Sequence, residues 1–319
     1  MKQKLLICGG TGFIGRNLLE KLPTKKYKIY ATYNKKKPFK SSKITWIKCD
    51  LRKKRDVDQI TRKKDIIIQA AATTSGSKDI INQPYIHVTD NVVMNAYLFR
   101  ACFKNKVKHV IFLSCTNMYK SSQKPLSEND FDPRKDIDPR YFGAANTKLY
   151  NEKMCEFYAN LGTTKFTAIR HSNIYGPYDK FDLKKSHVFG ATITKVMKAK
   201  NSVTIWGKGN EKRDLLFIDD LVNFIHLVIK KQKNNFEIFN CGYGSSISIN
   251  SLVKKIIKLS GKKLKIINDL SKPSIPTFLS LNCNKAKKIL KWKKKVSLDK
   301  GIINTLKWRK KIINSKYVQ

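Results

Sequence analysis

Residues 2–15 read KQKLLICGGTGFIG, and this stretch constrains the chain more than any other. Leu5, Leu6, Ile7 and Cys8 form an apolar run too short for a helix and suited to a strand buried on both faces. Gly9, Gly12 and Gly15 follow at G-x-x-G-x-x-G spacing, and Phe13, Ile14, Leu18 and Leu19 then recur at helical intervals. A glycine pattern alone says little. Between a buried strand and an amphipathic helix it predicts a turn whose bare backbone approaches a pyrophosphate, with the charge against the helix N-terminus. Gly9, Gly10, Thr11, Gly12, Phe13, Ile14 and Gly15 are therefore the expected cofactor cradle.

The alternation of strand and helix continues. A second strand over 28–32 leads into Tyr33, Asn34 and Lys35, followed by Lys36 and Lys37. An NAD-preferring site places Asp or Glu at this strand end for the ribose hydroxyls. The acid is missing and lysines follow, so NADP(H) is the expected cofactor, with NAD(H) as the alternative. A third strand over 44–48 ends at Asp50 and Leu51, positioned to face the adenine. A fourth, over 65–69, ends in Ala70, Ala71 and Ala72, small residues where backbone must pass close to a cofactor. A short helix over 56–61, long helices over 87–104 and 139–159, and strands over 110–113 and 166–169 complete the pattern. The implied fold is a Rossmann-type doubly wound parallel sheet with helices on both faces.

From Gly176 the texture changes. Strands over 203–206, 214–218 and 237–240 and helices over 219–230, 250–259, 285–290 and 298–311 fit a smaller C-terminal α/β substrate lobe. The expected organisation is a dinucleotide domain of residues 1–174 to which 214–245 return, and a lobe of 175–213 and 246–319.

Composition bounds the function. No apolar run among the 319 residues approaches the roughly 18 needed to cross a membrane. The chain enters its first strand at once, which predicts no leader peptide and a cytoplasmic protein. Seven scattered cysteines, at 8, 49, 102, 115, 155, 241 and 283, contain no C-x-x-C pair and read as reduced thiols, without a metal site. The net charge of +43 comes from 56 lysines and only 10 arginines, with lysine in every segment. Nucleic-acid readers favour arginine and cluster their charge beside stacking aromatics, so nucleic acid is not the expected partner. The field would still attract an anionic substrate.

The ordered set Gly9–Gly15, Ser114–Tyr119, Lys148 with Glu152–Glu156, Asn173-Ile174-Tyr175-Gly176-Pro177, Ser186-His187-Val188, Trp206-Gly207, Arg213-Asp214 and Asp219-Asp220-Leu221 spans almost the whole chain. It resembles the extended short-chain dehydrogenases/reductases, the NAD-dependent epimerase/dehydratase family. Within them it is most similar to the GDP-L-fucose synthase-like reductase/epimerases of nucleotide-linked 4-keto-6-deoxy sugars. The resemblance implies a nucleotide-diphosphate sugar as substrate and a homodimer packed through the two long helices. It places Lys148 at the cofactor ribose and beside a proton-donating tyrosine, and Asn91, His171, Asn173 and Ile174 at the cofactor. Asn173, His187, Lys195, Trp206 and Arg213 fall at the substrate, where Arg213 offers the planar fork that phosphate oxygens suit.

Three departures from the family pattern matter. Its tyrosine lies four residues before the lysine, where this chain has Ala144. Tyr141, seven before Lys148, would share its helix face at a separation of about 10.5 Å; it is either the replacement proton donor or a packing residue at the helix start. The strand end reads Ser114-Cys115-Thr116-Asn117, which puts Cys115 where the family has Ser or Thr. A thiol donates poorly, so Thr116 or Ser114 can take that part. Asn117 stands where fucose synthases carry the cysteine partnered with the histidine matched by His187, and an amide cannot abstract a carbon-bound proton. C4 reduction, alone or with one epimerisation, is thus the expected reaction. A 4,6-dehydratase, a C4 epimerase, or a binding protein on this scaffold are the alternatives. The sugar-contacting region near Lys272 reads Pro273-Ser274-Ile275-Pro276-Thr277 and does not identify the sugar.

Overall fold

A computed structural model describes residues 2–74, 82–183, 186–272 and 277–316. In chain order its strands are β1 (Gln3–Cys8), β2 (Tyr27–Tyr33), β3 (Ile44–Lys48), β4 (Ile66–Gln69), β5 (His109–Leu113), β6 (Lys165–His171), β7 (Asn173–Tyr175), β8 (Ser202–Trp206), β9 (Lys212–Phe217), β10 (Phe236–Cys241), β11 (Ser246–Ser248) and β12 (Lys265–Asp269). Seven form one sheet in the order β10-β6-β5-β4-β1-β2-β3, and every neighbouring pair is parallel. The expected doubly wound sheet is therefore present. β10 joins its edge beside β6 after β7, β8 and β9 have left the sheet. β9 pairs with β7 and β11, and β8 with β12.

Periodicity in β1 sets the two layers. Leu5 and Ile7 pack with Leu18 and Leu19 of helix Phe13–Lys21 and with Leu221, Phe224 and Val228 of helix Ile218–Lys231. Leu6 and Cys8 face the opposite side, against Leu98, Phe99 and Cys102 of helix Thr89–Lys104 and Cys155 and Ala159 of helix Phe142–Asn160. All four β1 residues are fully buried, as a strand covered on both faces requires.

Chain order reverses between β1 and β4, and the crevice at such a reversal is where ligands of open α/β sheets bind. The glycine turn leaves β1 there, and 70–72 leave β4 beside it, with Cys8 in register with Gln69. Elements absent from the sequence reading are β7, helix Val188–Lys198, β11 and β12, of which two are three-residue strands. The expected helix over 139–159 is divided. Pro139–Tyr141 is a tight 3-10 turn, with the Asp138 carboxylate accepting from the Arg140 N–H, and the α-helix begins at Phe142. Residues 273–276 lie outside the described residues. Among the described residues no helix is long and apolar enough to cross a membrane, and no cluster of His, Cys, Asp and Glu could hold a metal ion.

A Cβ on Gly15 would lie 2.2 Å from the Gly9 carbonyl oxygen, so helix and turn cannot keep this approach with any larger residue. Gly15→Ala is expected to lower the unfolding free energy by about 1–3 kcal/mol, the usual range for overpacking. A urea titration that leaves the midpoint where it was would contradict the tight packing.

Candidate active site

The cradle is built from backbone. Gly9 adopts φ +77°, which few side chains tolerate, and a Cβ there would also strike Ala71 at 2.8–2.9 Å. Its N–H donates to Thr32 Oγ1 (2.9 Å), and the Gly10 N–H donates to the Thr32 carbonyl (2.9 Å), which pins the turn to β2. Gly12 stands at the N-cap of helix Phe13–Lys21 without a side-chain cap, so the first N–H groups remain available to an anion. Thr11, Phe13 and Ile14 are half-buried around it. These residues fit a dinucleotide pyrophosphate. At the end of β2, Tyr33 is half-buried while Asn34 and Lys35 beyond it are exposed, with no carboxylate among 33–37.

Other expected cofactor residues have specific occupations. Asp50 is gripped by Arg52, whose Nη2 lies 2.8 Å away, and this pairing holds its carboxyl down at about 2. Leu51 is buried. Ala70 and Ala71 are half-buried and Ala72 is exposed. Asn91 spends its amide on backbone: Oδ1 accepts from the Thr73 N–H (2.9 Å), and Nδ2 donates to the carbonyls of Thr73 (2.9 Å) and His87 (2.8 Å). It fixes the chain leaving β4. Asn17, which sequence reasoning missed, donates to the Pro177 carbonyl (2.9 Å) and ties the glycine helix to the segment after β7.

At the end of β5 the three oxygen-binding alternatives separate. Ser114 is fully buried and donates to Glu152 Oε1 (2.6 Å), which removes its hydroxyl from the cleft. Thr116 is buried, and its carbonyl accepts from the Tyr119 N–H (3.1 Å). Cys115 is half-buried and donates its thiol to Asn117 Oδ1 (2.6 Å). Burial raises the thiol pKa, Lys148 and Arg170 pull it down, and Glu152 pushes it up. Lys148 donates to the Leu113 carbonyl (2.9 Å); desolvation lowers its pKa, and Cys115 and Glu152 oppose that. Tyr141 is half-buried at the N-cap of the Lys148 helix. Burial raises its pKa, Arg213 and Arg140 lower it, and Asp138 and Cys115 add to the rise. Cys115 thus has charge interactions with both Lys148 and Tyr141, and the cation acting most on Tyr141 is Arg213. The shared helix face expected for Tyr141 and Lys148 does not hold strictly, because Tyr141 precedes the α-helix.

Arg213 is fixed from below. Its Nη1 donates to the Lys212 carbonyl (3.0 Å) and to the carbonyl (2.9 Å) and hydroxyl (2.5 Å) of Thr277. Burial lowers its pKa, and Tyr141 and Glu211 raise it. Neighbouring Asp214 is fully buried and accepts from the N–H groups of Tyr243 (2.6 Å), Gly244 (3.0 Å) and Leu281 (3.1 Å), which makes it the clamp that seats β9. Lys195 donates to the Thr204 carbonyl (2.8 Å) and lies 5.8 Å from the centroid of Trp206, so those two meet. Asn173 donates to the Asp214 carbonyl (3.3 Å), and Ile174 packs against the core.

Histidines gather on the far wall. His171 Nδ1 lies 2.8 Å from the Ser172 carbonyl; desolvation, then Lys148 and His187, push its pKa down to about 4. His187, at the N-cap of helix Val188–Lys198, is lowered by desolvation and then by Lys180 and His87. His87, buried on the 3-10 turn Pro84–His87, carried no local motif and was missed.

The chain matches the NAD dependent epimerase/dehydratase family over residues 5–242. It belongs to that family. Its enzyme class is accordingly that of the NAD(P)-dependent oxidoreductases and epimerases. It is 30% identical over 315 residues to GDP-L-colitose synthase of Yersinia pseudotuberculosis, covering 96% of this chain and 97% of the other. It is 30% identical over 281 residues to GDP-L-fucose synthase of Azorhizobium caulinodans, with 85% of each covered. The solved UDP-glucose 4-epimerase of Thermotoga maritima superposes with a TM-score of 0.87 over 98% of this chain and 100% of that one. At 23% identity this likeness speaks for the fold.

Removing the Asp214 carboxylate leaves the buried Leu281 N–H without a partner and frees two less buried ones, those of Tyr243 and Gly244. At about 1–3 kcal/mol for the buried group and less for the other two, Asp214→Ala should cost about 2 kcal/mol or more, read as a lower urea midpoint at unchanged slope. A loss under about 1 kcal/mol would mean that the clamp is dispensable.

Proposed function

We propose that the protein is an NADP(H)-dependent C4 reductase of a nucleotide-linked 4-keto-6-deoxy sugar. The observation that carries the reading is that Lys148 donates to the Leu113 carbonyl at the end of β5, two residues before Cys115, while Tyr141 stands at the N-cap of the same helix with Arg213 as the cation acting most on it. Similarity at 30% identity to a GDP-L-colitose synthase and a GDP-L-fucose synthase supports the substrate class. Gly9, Gly12 and the open helix end hold the cofactor pyrophosphate, and Lys148 the nicotinamide ribose. The bound nicotinamide supplies the hydride that reaches the sugar carbonyl carbon. Tyr141 gives its phenolic proton to the oxygen that gains charge, so the carbonyl becomes a secondary alcohol. Arg213 offsets the charge left on Tyr141, a task burial alone would oppose. Cys115 or Thr116 steadies the reacting oxygen, and Arg213, Lys195 and Trp206 receive the nucleotide diphosphate. Asn117 offers no base, so reduction proceeds without double epimerisation; His187 lines the sugar. The missing acid after β2 and the exposed lysines 35–37 favour the 2′-phosphate of NADP(H).

The solvent-exposed Phe142, Tyr150 and Phe157 lie on one helix, and with helix Thr89–Lys104 they form the proposed homodimer face. A monomer mass at micromolar concentration contradicts that part.

The test is nicotinamide absorbance with NADPH and, separately, NADH, across GDP-, dTDP-, CDP- and UDP-linked 4-keto-6-deoxy sugars. Absorbance should fall with one nucleotide and faster with NADPH; silence across the panel contradicts the reading. Tyr141→Phe should lower kcat at least ~100-fold, the low end for a lost general acid. Unchanged turnover would remove Tyr141 from the role.

A further inference from the structure

A second polar constellation lies behind the cleft and takes no part in the chemistry above. Glu152, one helical turn beyond Lys148, is buried, as is Arg170 on β6. Arg170 Nη2 meets Glu152 Oε2 at 2.7 Å, and its Nε lies 3.1 Å from both carboxylate oxygens. Ser114, at the end of β5, donates to the same carboxylate. On the other edge, Arg170 Nη1 donates to the Tyr119 hydroxyl (3.0 Å) and the Glu128 carbonyl (3.1 Å). Tyr119 donates in turn to Asn240 Oδ1 on β10 (2.8 Å). Asn240 Nδ2 donates to the carbonyls of Leu126 (2.9 Å) and Asn282 (3.3 Å). The chain of bonds ends on the segment containing Leu281, held by Asp214, and Thr277, which holds Arg213.

A buried ion pair is poor evidence for stability, because desolvation consumes most of its attraction and apolar groups of equal volume can replace it. A fully partnered pair does fix orientation, and here the bonds tie the Lys148 helix to β5 and β6, and β6 through Tyr119 to β10. We infer that the buried Glu152–Arg170–Tyr119 chain is a positioning device, which sets the β5 end carrying Cys115 and Asn117 against the Lys148 helix and registers both with the segment that seats Arg213.

The inference rests on the reductase reading only for its kinetic arm. In that arm Tyr119→Phe, which keeps the ring and removes the bridging hydroxyl, should lower kcat about 10-fold or more, as small misplacements of reacting groups do. KM for the nucleotide sugar and for NADPH should stay within about twofold, since the variant leaves the binding groups in place.

The second arm needs no turnover. Cys115 and Cys283 are the two cysteines that are not buried, so iodoacetamide labelling of a Cys283→Ser protein reports Cys115, with Cys115→Ser as the blank. The charged groups acting on this thiol are Lys148, Arg170 and Glu152. Loss of the acid in Glu152→Gln should move the pH midpoint of labelling down, and loss of the cation in Lys148→Met should move it up. Tyr119→Phe should speed labelling several-fold by loosening the strand end. If Glu152→Gln does not fold, Tyr119→Phe decides alone. Midpoints that stay fixed or shift in the same direction, or Tyr119→Phe labelling and turning over like the parent, would reduce the chain to an ordinary core ion pair and overturn the inference.

Discussion

The site depends on one close approach, that of the first helix to the turn that feeds it. With a Cβ at Gly15 only 2.2 Å from the Gly9 carbonyl, nothing but hydrogen fits between them. That contact points the helix N-terminus into the crevice between β1 and β4, and the glycine at its N-cap leaves the first N–H groups without a side-chain partner. A helix end of this kind stabilises negative charge through both its orphan donors and its dipole. The Asn17 bond to the Pro177 carbonyl then transmits the helix position to the segment running toward His187.

Opposite the cradle, burial works against almost every ionisable group. It lowers Lys148 and Arg213, raises Tyr141 and Cys115, and drives His171 to about 4. Cations that lose hydration gain by meeting an anionic ligand, and the chain's charge of +43 brings such ligands toward the surface. Glu152 and Asp214 each accept several hydrogen bonds and lie behind the cleft as structure.

The first 170 residues were legible because their signals are local: an apolar run, a glycine spacing, a helical period. β1 to β6 all stand where the sequence places them, within one or two residues at the ends. The second half carries weaker local signals. β7 and β11 are three residues long, and β12, reading KIIND, has no apolar alternation. At the site, the types of residue were readable and their partners were not. Ser114 looked like an oxygen-binding hydroxyl, yet it is committed to Glu152, 38 residues away. Asn91 looked like a cofactor contact and is spent on backbone. Tyr141 was placed on a helix that a proline and an aspartate cap delay until Phe142. Each of these depends on a contact or turn that no short window contains.

The central claim is that hydride and proton arrive together at a sugar carbonyl. Turnover with NADPH carrying deuterium at the transferable position of its nicotinamide, followed by NMR of the product, tests it most directly. The account predicts one deuterium at sugar C4 and one NADP formed for each sugar reduced. A sugar inverted or dehydrated with the deuterium still in the bulk cofactor would contradict it.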